Sequence, residues 1–477
     1  MIAALLFVFL AGTLPVIALT RSAASIPFAG AGILVLAATG ATLATAAGTS
    51  VVRVSLLLMV LANLGAIATI IRRRPSLRLH VVDRTTLGAL GLATWFMIPS
   101  LSLLLLFPPA PLGWDARSIW WFHASWFRSG GQVTQDSLGN SLLSFSHPDY
   151  PAGNSAAIAT LWRLTGSVEN LVLAQALTSV LSGLAVACLG LVLVHQHRSL
   201  ASIGAATALI AAASNFGQGL AAGGYVDVLC AALLVTSLTA HLCLKDARLA
   251  LTLGSLALAG ASVTKNEGIA FGFIVLIAAI AATRHGRIRV AIWGALSLVP
   301  AVSWSLVVRI HLAEPDVSQA PLDSDPQLWD RLRVSVPAVF GEISPVLWPT
   351  MLVCLMLAVS LALGGQRGNS LRWSSLVPAC MLLAVGIACA LVASIVYAAG
   401  PYELSWWFAT SLDRVAATPE LFAMASLVTM VPVATELWRR STHESEGEDA
   451  ADSQVGELAS LTDQPLTTTV SVDDSRI

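Results

Sequence analysis

The sequence predicts an all-α, polytopic integral membrane protein of about 13 transmembrane helices, and three observations predict it. Of 477 residues, 56% are hydrophobic and only 11% charged, with a mean hydropathy of +0.78. That leaves too little polar side chain to cover a water-facing surface, so lipid is the solvent for most of the chain. Apolar runs of about 20 residues, the length that crosses a hydrocarbon layer, recur along the chain. Basic residues fall in every second connection between those runs. A soluble enzyme, a nucleic-acid partner and a secreted disulfide scaffold are excluded.

Taken in order, the runs place spans at 2–20, 27–48, 51–71, 87–108, 168–194, 200–216, 225–244, 249–263, 269–283, 290–310, 344–364, 375–399 and 419–438. Those at 249–263 and 269–283 are short, which suits broken or tilted helices. The first lacks a basic leader and a cleavage site and reads as a retained helix. With Arg72, Arg73 and Arg74 placed inside, Arg198, Lys245, Arg248, Arg284, Arg287, Arg289, Arg367, Arg372, Arg439 and Arg440 all fall on the same side. The N-terminus is then outside and the C-terminus cytoplasmic, in a multi-pass protein of the plasma membrane.

The other side receives two long connections, 109–167 and 311–343. Within the first, 152–165 is too short and too polar to span and reads as an amphipathic helix lying on the membrane surface. Fourteen tryptophans against four tyrosines, many of the former at span ends, suit an interfacial belt. Beyond Arg440 the chain turns to Ser, Thr and acids without apolar periodicity and reads as a disordered tail. Three parts result: three N-terminal spans with a basic loop over 1–86, the main transmembrane domain over 87–438, and the acidic tail over 439–477. Six cysteines lie in apolar runs with no CxxC pair, so they read as small apolar-facing residues.

Ionisable residues near a bilayer are costly unless paired or functional, and five polar clusters fall on the outer face of this topology. The first, GWDARSIWWFHASWF over 113–127, carries Asp115 between Trp114 and Arg117. An acid set between aromatic rings and a cation reads either as a general base or as an interfacial ion pair. The second, SHPDYP over 146–151, sets His147 and Asp149 on one side of an extended segment stiffened by two prolines, with Tyr150 beside them. It offers a second acid or a metal ligand, or else a turn with Asp149 capping the next helix. The third, GGYVDV over 223–228, puts Tyr225 and Asp227 at a span's start, where Asp227 is either a site residue or a helix cap. The fourth, TKNEG over 264–268, holds Lys265, Asn266 and Glu267 in a tight turn, offering either a phosphate-binding ammonium or a local pair. In the fifth, ELSWWFATSLDR over 403–414, Arg414 either grips a phosphate or neutralises Asp413.

As a set, the WDA loop, HPDYP, GY-x-D, TKNEG and TSLDR resemble the polytopic GT-C glycosyltransferases, nearest to bacterial members grouped with dolichyl-phosphate-mannose mannosyltransferases, ArnT-like enzymes and protein mannosyltransferases. The likeness covers about residues 87 to 438. It implies a GT-C-like membrane domain, a polyprenyl-phosphate sugar as donor, inversion at the anomeric carbon, and a glycan, lipid or protein acceptor outside the cytoplasm. By position it makes Asp115 the catalytic base and Lys265 and Arg414 the binders of the leaving phosphate. Trp114, Arg117, His147, Asp149, Tyr150, Tyr225, Asp227, Asn266 and Glu267 then shape the substrate pocket. No cofactor is expected; a lone carboxylate in the first loop is a poor site for a hard cation, although Asp149 can supply a second. The alternatives are an O-antigen polymerase- or ligase-like enzyme, which centres on Arg and His, and a lipid or solute transporter, which places polar groups at the bilayer midplane.

Overall fold

The computed structural model describes residues 2–73, 113–167, 170–196, 221, 223–283, 286–311, 325–364, 373–400 and 402–462. The expected spans at 87–108 and 200–216 lie outside the described residues. Those residues form fourteen α-helices and no strand: α1 (Ile2–Thr20), α2 (Ala29–Ala46), α3 (Val51–Arg72), α4 (Phe122–Ser129), α5 (Gly131–Leu138), α6 (Gly153–Leu164), α7 (Leu171–Gln196), α8 (Asp227–Cys243), α9 (Ala247–Ser262), α10 (Asn266–Ala282), α11 (Arg287–Ile310), α12 (Asp325–Gly364), α13 (Val377–Ala399) and α14 (Leu404–Thr462). Eight of the described helices are long and apolar enough to cross a membrane. The chain is an all-α, multi-pass membrane protein.

Helices dominate because a lipid-embedded backbone must bond to itself. The same rule governs the hydroxyls inside the spans, which fold back on the preceding turn: Thr42 donates to the Ala38 carbonyl, Thr160 to Ala156 and Thr236 to Ala232. Short helices are delimited by side chains that take up loose N–H groups. Asp246 accepts from the backbone of Arg248 and Leu249 at the start of α9.

The side chains sort by position in the bundle. On α3, α11 and α12 the exposed residues are large and apolar, among them Leu57, Leu61, Leu64, Ile292, Leu296, Leu306, Leu352 and Leu355. A water-facing surface would not carry that ridge; a lipid-facing one does. By contrast α8 is buried along nearly its whole length, packed against α7, α9, α10 and α14. It is the central post of the bundle. One continuous core runs from Ala4 to Val428, so the three N-terminal helices pack into the same interior as the rest.

Several expectations are corrected. The helix over 152–165 does not lie on a surface: α6 is buried from Gly153 to Trp162 among α2, α3, α4 and α7. Small residues, among them Gly153, Ser155, Ala156, Ala157 and Ala159, let neighbours approach closely, while Ile158, Leu161 and Trp162 pack into the core. A Cβ at Gly153 would stand 2.5 Å from the Val263 carbonyl oxygen. The loop tryptophans also divide, since Trp120, Trp121, Trp126, Trp162 and Trp304 are core while Trp348, Trp406 and Trp438 stay exposed. The second long connection is helical from Asp325, which continues without a break into the span expected at 344–364. Likewise the last span starts at Leu404 and its backbone stays helical to Thr462, into the segment expected to be disordered. Glu and Ala, good helix formers, recur there.

The buried α6 makes a stability prediction. Gly153→Val forces a side chain against the α9–α10 turn and costs about 1–3 kcal/mol. Melting of the detergent-purified variant should fall by several degrees, and an unchanged transition would contradict this contact.

Candidate functional site

The site is assembled at element ends. The backbone N–H of Gly113 donates to the Gly223 carbonyl at 3.0 Å, tying the segment before Asp115 to the one before Asp227. Gly224 takes a φ of +86°, and a Cβ there would meet Trp121 at 2.9 Å, so a glycine is what lets the two segments close. Directly after Asp115 the chain makes a turn of π-helix, Ala116–Trp121. Such turns recur at functional sites because they re-aim side chains.

From these ends charged groups meet in pairs. Arg414, ten residues into α14, donates from Nη1 to Asp115 Oδ2 at 2.5 Å. The Arg414 guanidinium carbon lies 4.6 Å over the Tyr225 ring, and Nε and Nη2 both donate to the Thr410 carbonyl. Lys265, in extended backbone at the head of α10, donates to Asp227 Oδ1 at 2.7 Å and pairs with Glu267 Oε1 at 2.8 Å. Burial works to lower the Lys265 pKa, but the carboxylates of Asp227 and Glu267 outweigh it and hold the ammonium well above its ordinary value. Asn266 donates to Asp149 Oδ2 at 2.7 Å, joining the 146–151 segment to α10.

These groups surround one cavity of about 970 Å³. Asp115, Lys265, Arg414, Trp114, His147, Asp149, Tyr150, Tyr225, Asn266 and Glu267 all line it. Asp227 sits behind Lys265 and reaches the cavity through it. Arg117 is exposed and does not line it, because the π-turn directs that position away. Arg414 turns to Asp115, while Asp413 accepts only from the Arg414 backbone. The 147–150 segment is not extended but a turn, with His147 at a φ of +52° and Tyr150 N–H donating to the His147 carbonyl. Nor does Asp149 cap α6, which has no side-chain cap.

Other parts of the lining are apolar and aromatic: Phe271, Val392, Val396, Tyr397, Tyr402, Trp406 and Trp407. Sequence reasoning passed over Phe271 and the two tyrosines. All four tyrosines of the chain, Tyr150, Tyr225, Tyr397 and Tyr402, line this cavity. That scarcity was a usable signal. Arg331 was missed as well. Its guanidinium donates to the carbonyls of Tyr397, Ala398, Gly400 and Tyr402, so it fixes the α13–α14 turn that carries two of these rings.

Chemically, the arrangement offers three carboxylates (Asp115, Asp149 and Glu267), two cations, hydroxyls and flat rings to one bound molecule. Among the described residues no group of three or more His, Cys, Asp or Glu comes together to hold a metal ion. No protein-family model, no curated protein and no solved structure matches this chain. The site's meaning therefore rests on its own geometry.

Two predictions concern the support of the site. Removing one partner of a buried ion pair strands the other, at about 3–5 kcal/mol. Lys265→Met, which leaves the buried Asp227 without its ammonium, should therefore destabilise the protein strongly, and Asp227→Asn added to it should recover part of the loss. Simple additivity of the two in thermal melts would deny the coupling. Behind the site, His123 is buried against Trp126 and within 3.4 Å of Ser146 Oγ. Burial takes its pKa down to about 3 from the ordinary 6.5, with His147 adding to the fall. The unfolded chain thus binds the proton more readily, so stability present above pH 6.5 is lost as pH falls towards 3. Melting temperature against pH should drop less steeply in His123→Phe than in the unaltered protein; parallel curves would count against a neutral buried imidazole.

Proposed function

We propose that the protein is an integral-membrane glycosyltransferase that moves one sugar from a polyprenyl-phosphate carrier to an extracytoplasmic acceptor, with inversion. One observation carries the reading: Asp115, Lys265 and Arg414, from three distant stretches of chain, line a single cavity together with apolar and aromatic side chains. A lipid-linked sugar phosphate has the matching parts, an anion, a ring with hydroxyls and an alkyl chain. Tyrosine and tryptophan rings suit sugar faces, since they bury flat apolar surface and keep a polar handle. Asp227 and Lys265 stand at the N-termini of α8 and α10 and Asp115 just before the π-turn, with Arg414 ten residues into α14, whereas a transporter concentrates its polar groups at midspan.

In this mechanism the acceptor hydroxyl oxygen bonds to the anomeric carbon and its proton passes to Asp115. The bond from that carbon to the phosphate oxygen breaks, and its electron pair leaves with the phosphate. Negative charge on the departing group grows towards the transition state, so a cation there raises the rate rather than only the affinity. Arg414 is the first cation in line, because Lys265 is already turned to two carboxylates. His147, Asp149, Asn266 and Glu267 face the sugar and acceptor. The acceptor is a glycan, lipid or protein of the cell envelope, and on this reading the site faces the extracytoplasmic side of the plasma membrane, which basic residues in alternate connections support.

The test is transfer by purified, reconstituted protein offered a panel of radiolabelled polyprenyl-phosphate hexoses and pentoses. At least one should lose its sugar to an acceptor or, slowly, to water. Asp115→Asn should cut that rate by about 10²–10⁴ while the protein stays folded. Near-normal turnover of the Asn variant would remove Asp115 from the mechanism.

A further inference from the structure

The contact between Asp115 and Arg414 has a consequence for the order of events. Both side chains are largely buried, with exposures of 12% and 10%. While Asp115 Oδ2 accepts from Arg414 Nη1, that oxygen faces the guanidinium, and only Oδ1 is left to meet a substrate hydroxyl. Arg414 is held on several sides: Nε and Nη2 donate to the Thr410 carbonyl, and the Tyr225 ring lies under the guanidinium. Asp115 is held at Oδ2 by Arg414 and precedes the π-turn. Of the two, the carboxylate is the partner free to swing. A second anion brought to the same guanidinium meets Asp115 at close range, and two like charges there repel.

We infer that Asp115 and Arg414 form a latch, in which the phosphate of an incoming lipid carrier takes Arg414 from Asp115 and so frees the carboxylate to serve as base. The inference rests on the reading of the cavity as a lipid-phosphate site. It frees Oδ2 for the acceptor once a leaving group is gripped, and so favours binding of the donor before the acceptor. The latch also makes Asp115 a competitor of the phosphate, which an ordinary supporting residue is not.

That competition is measurable without turnover. Full-length protein in nanodiscs is titrated with a polyprenyl monophosphate, with the matching uncharged polyprenol as control, and binding is followed by tryptophan fluorescence. Removing the competitor should tighten phosphate binding about tenfold in both Asp115→Asn and Asp115→Ala. Arg414→Gln should weaken it by a similar factor, and the Asp115→Asn/Arg414→Gln double variant should bind as weakly as Arg414→Gln alone. Binding that depends on Arg414 but is unchanged or weaker in both Asp115 variants overturns the latch and leaves the lipid-phosphate reading standing. Equal binding of phosphate and polyprenol, indifferent to Arg414, overturns that reading and the latch with it.

Discussion

The fold around the site depends on one constraint: in an apolar bundle, a buried charge has to meet its opposite. The Arg414–Asp115 and Lys265–Asp227–Glu267 contacts are where this constraint is met. Leaving any one of these groups alone would cost several kcal/mol, more than most helix–helix contacts return. The segment after Gly113, the N-termini of α8 and α10, and the first turns of α14 are therefore drawn to a common point. A bundle of apolar helices can slide and rotate with modest change in packing energy; ion pairs among its ends set one register. Arg331 does similar work with neutral partners, tying four carbonyls across the α13–α14 turn.

Much of this was legible in the sequence, for physical reasons that can be named. Span positions follow from run length because lipid leaves a backbone few options. The ionic clusters stood out because charge is scarce at 11% of residues, and scarcity gives each charge a task. What pairs with what was less legible. Asp413 is the neighbour of Arg414 in sequence, yet Asp115, 299 residues away, is its partner, and short-range spacing carries no trace of such a bond. The misreading of α6 has a different cause. Its moderate polarity comes from Ser155, Thr160 and Asn154, which look like a water-facing stripe, but those side chains are small enough for α2, α4 and α7 to close over them as well as over Ile158, Leu161 and Trp162. The aromatic wall escaped notice because Tyr397 and Tyr402 flank a helix end that reads as ordinary interface. Counting tyrosines, rather than aromatics together, would have found it.

The proposed chemistry draws on the same economy. A site whose two cations each have a carboxylate partner holds together when empty, yet offers an incoming anion a cation whose present partner can be displaced. Asp115 is then at once the structural mate of Arg414 and the proposed base, so the stability of the empty site and the chemistry of the filled one share a bond.

The most direct measurement is a cryo-EM structure of the protein with a non-hydrolysable polyprenyl-phosphonate sugar. The account predicts the phosphonate within hydrogen-bonding distance of Arg414, the sugar among the four tyrosines, and Asp115 turned from Arg414 towards the anomeric carbon. Ligand density outside this cavity, or a phosphonate lying away from Arg414 while Asp115 keeps its grip on it, would contradict it.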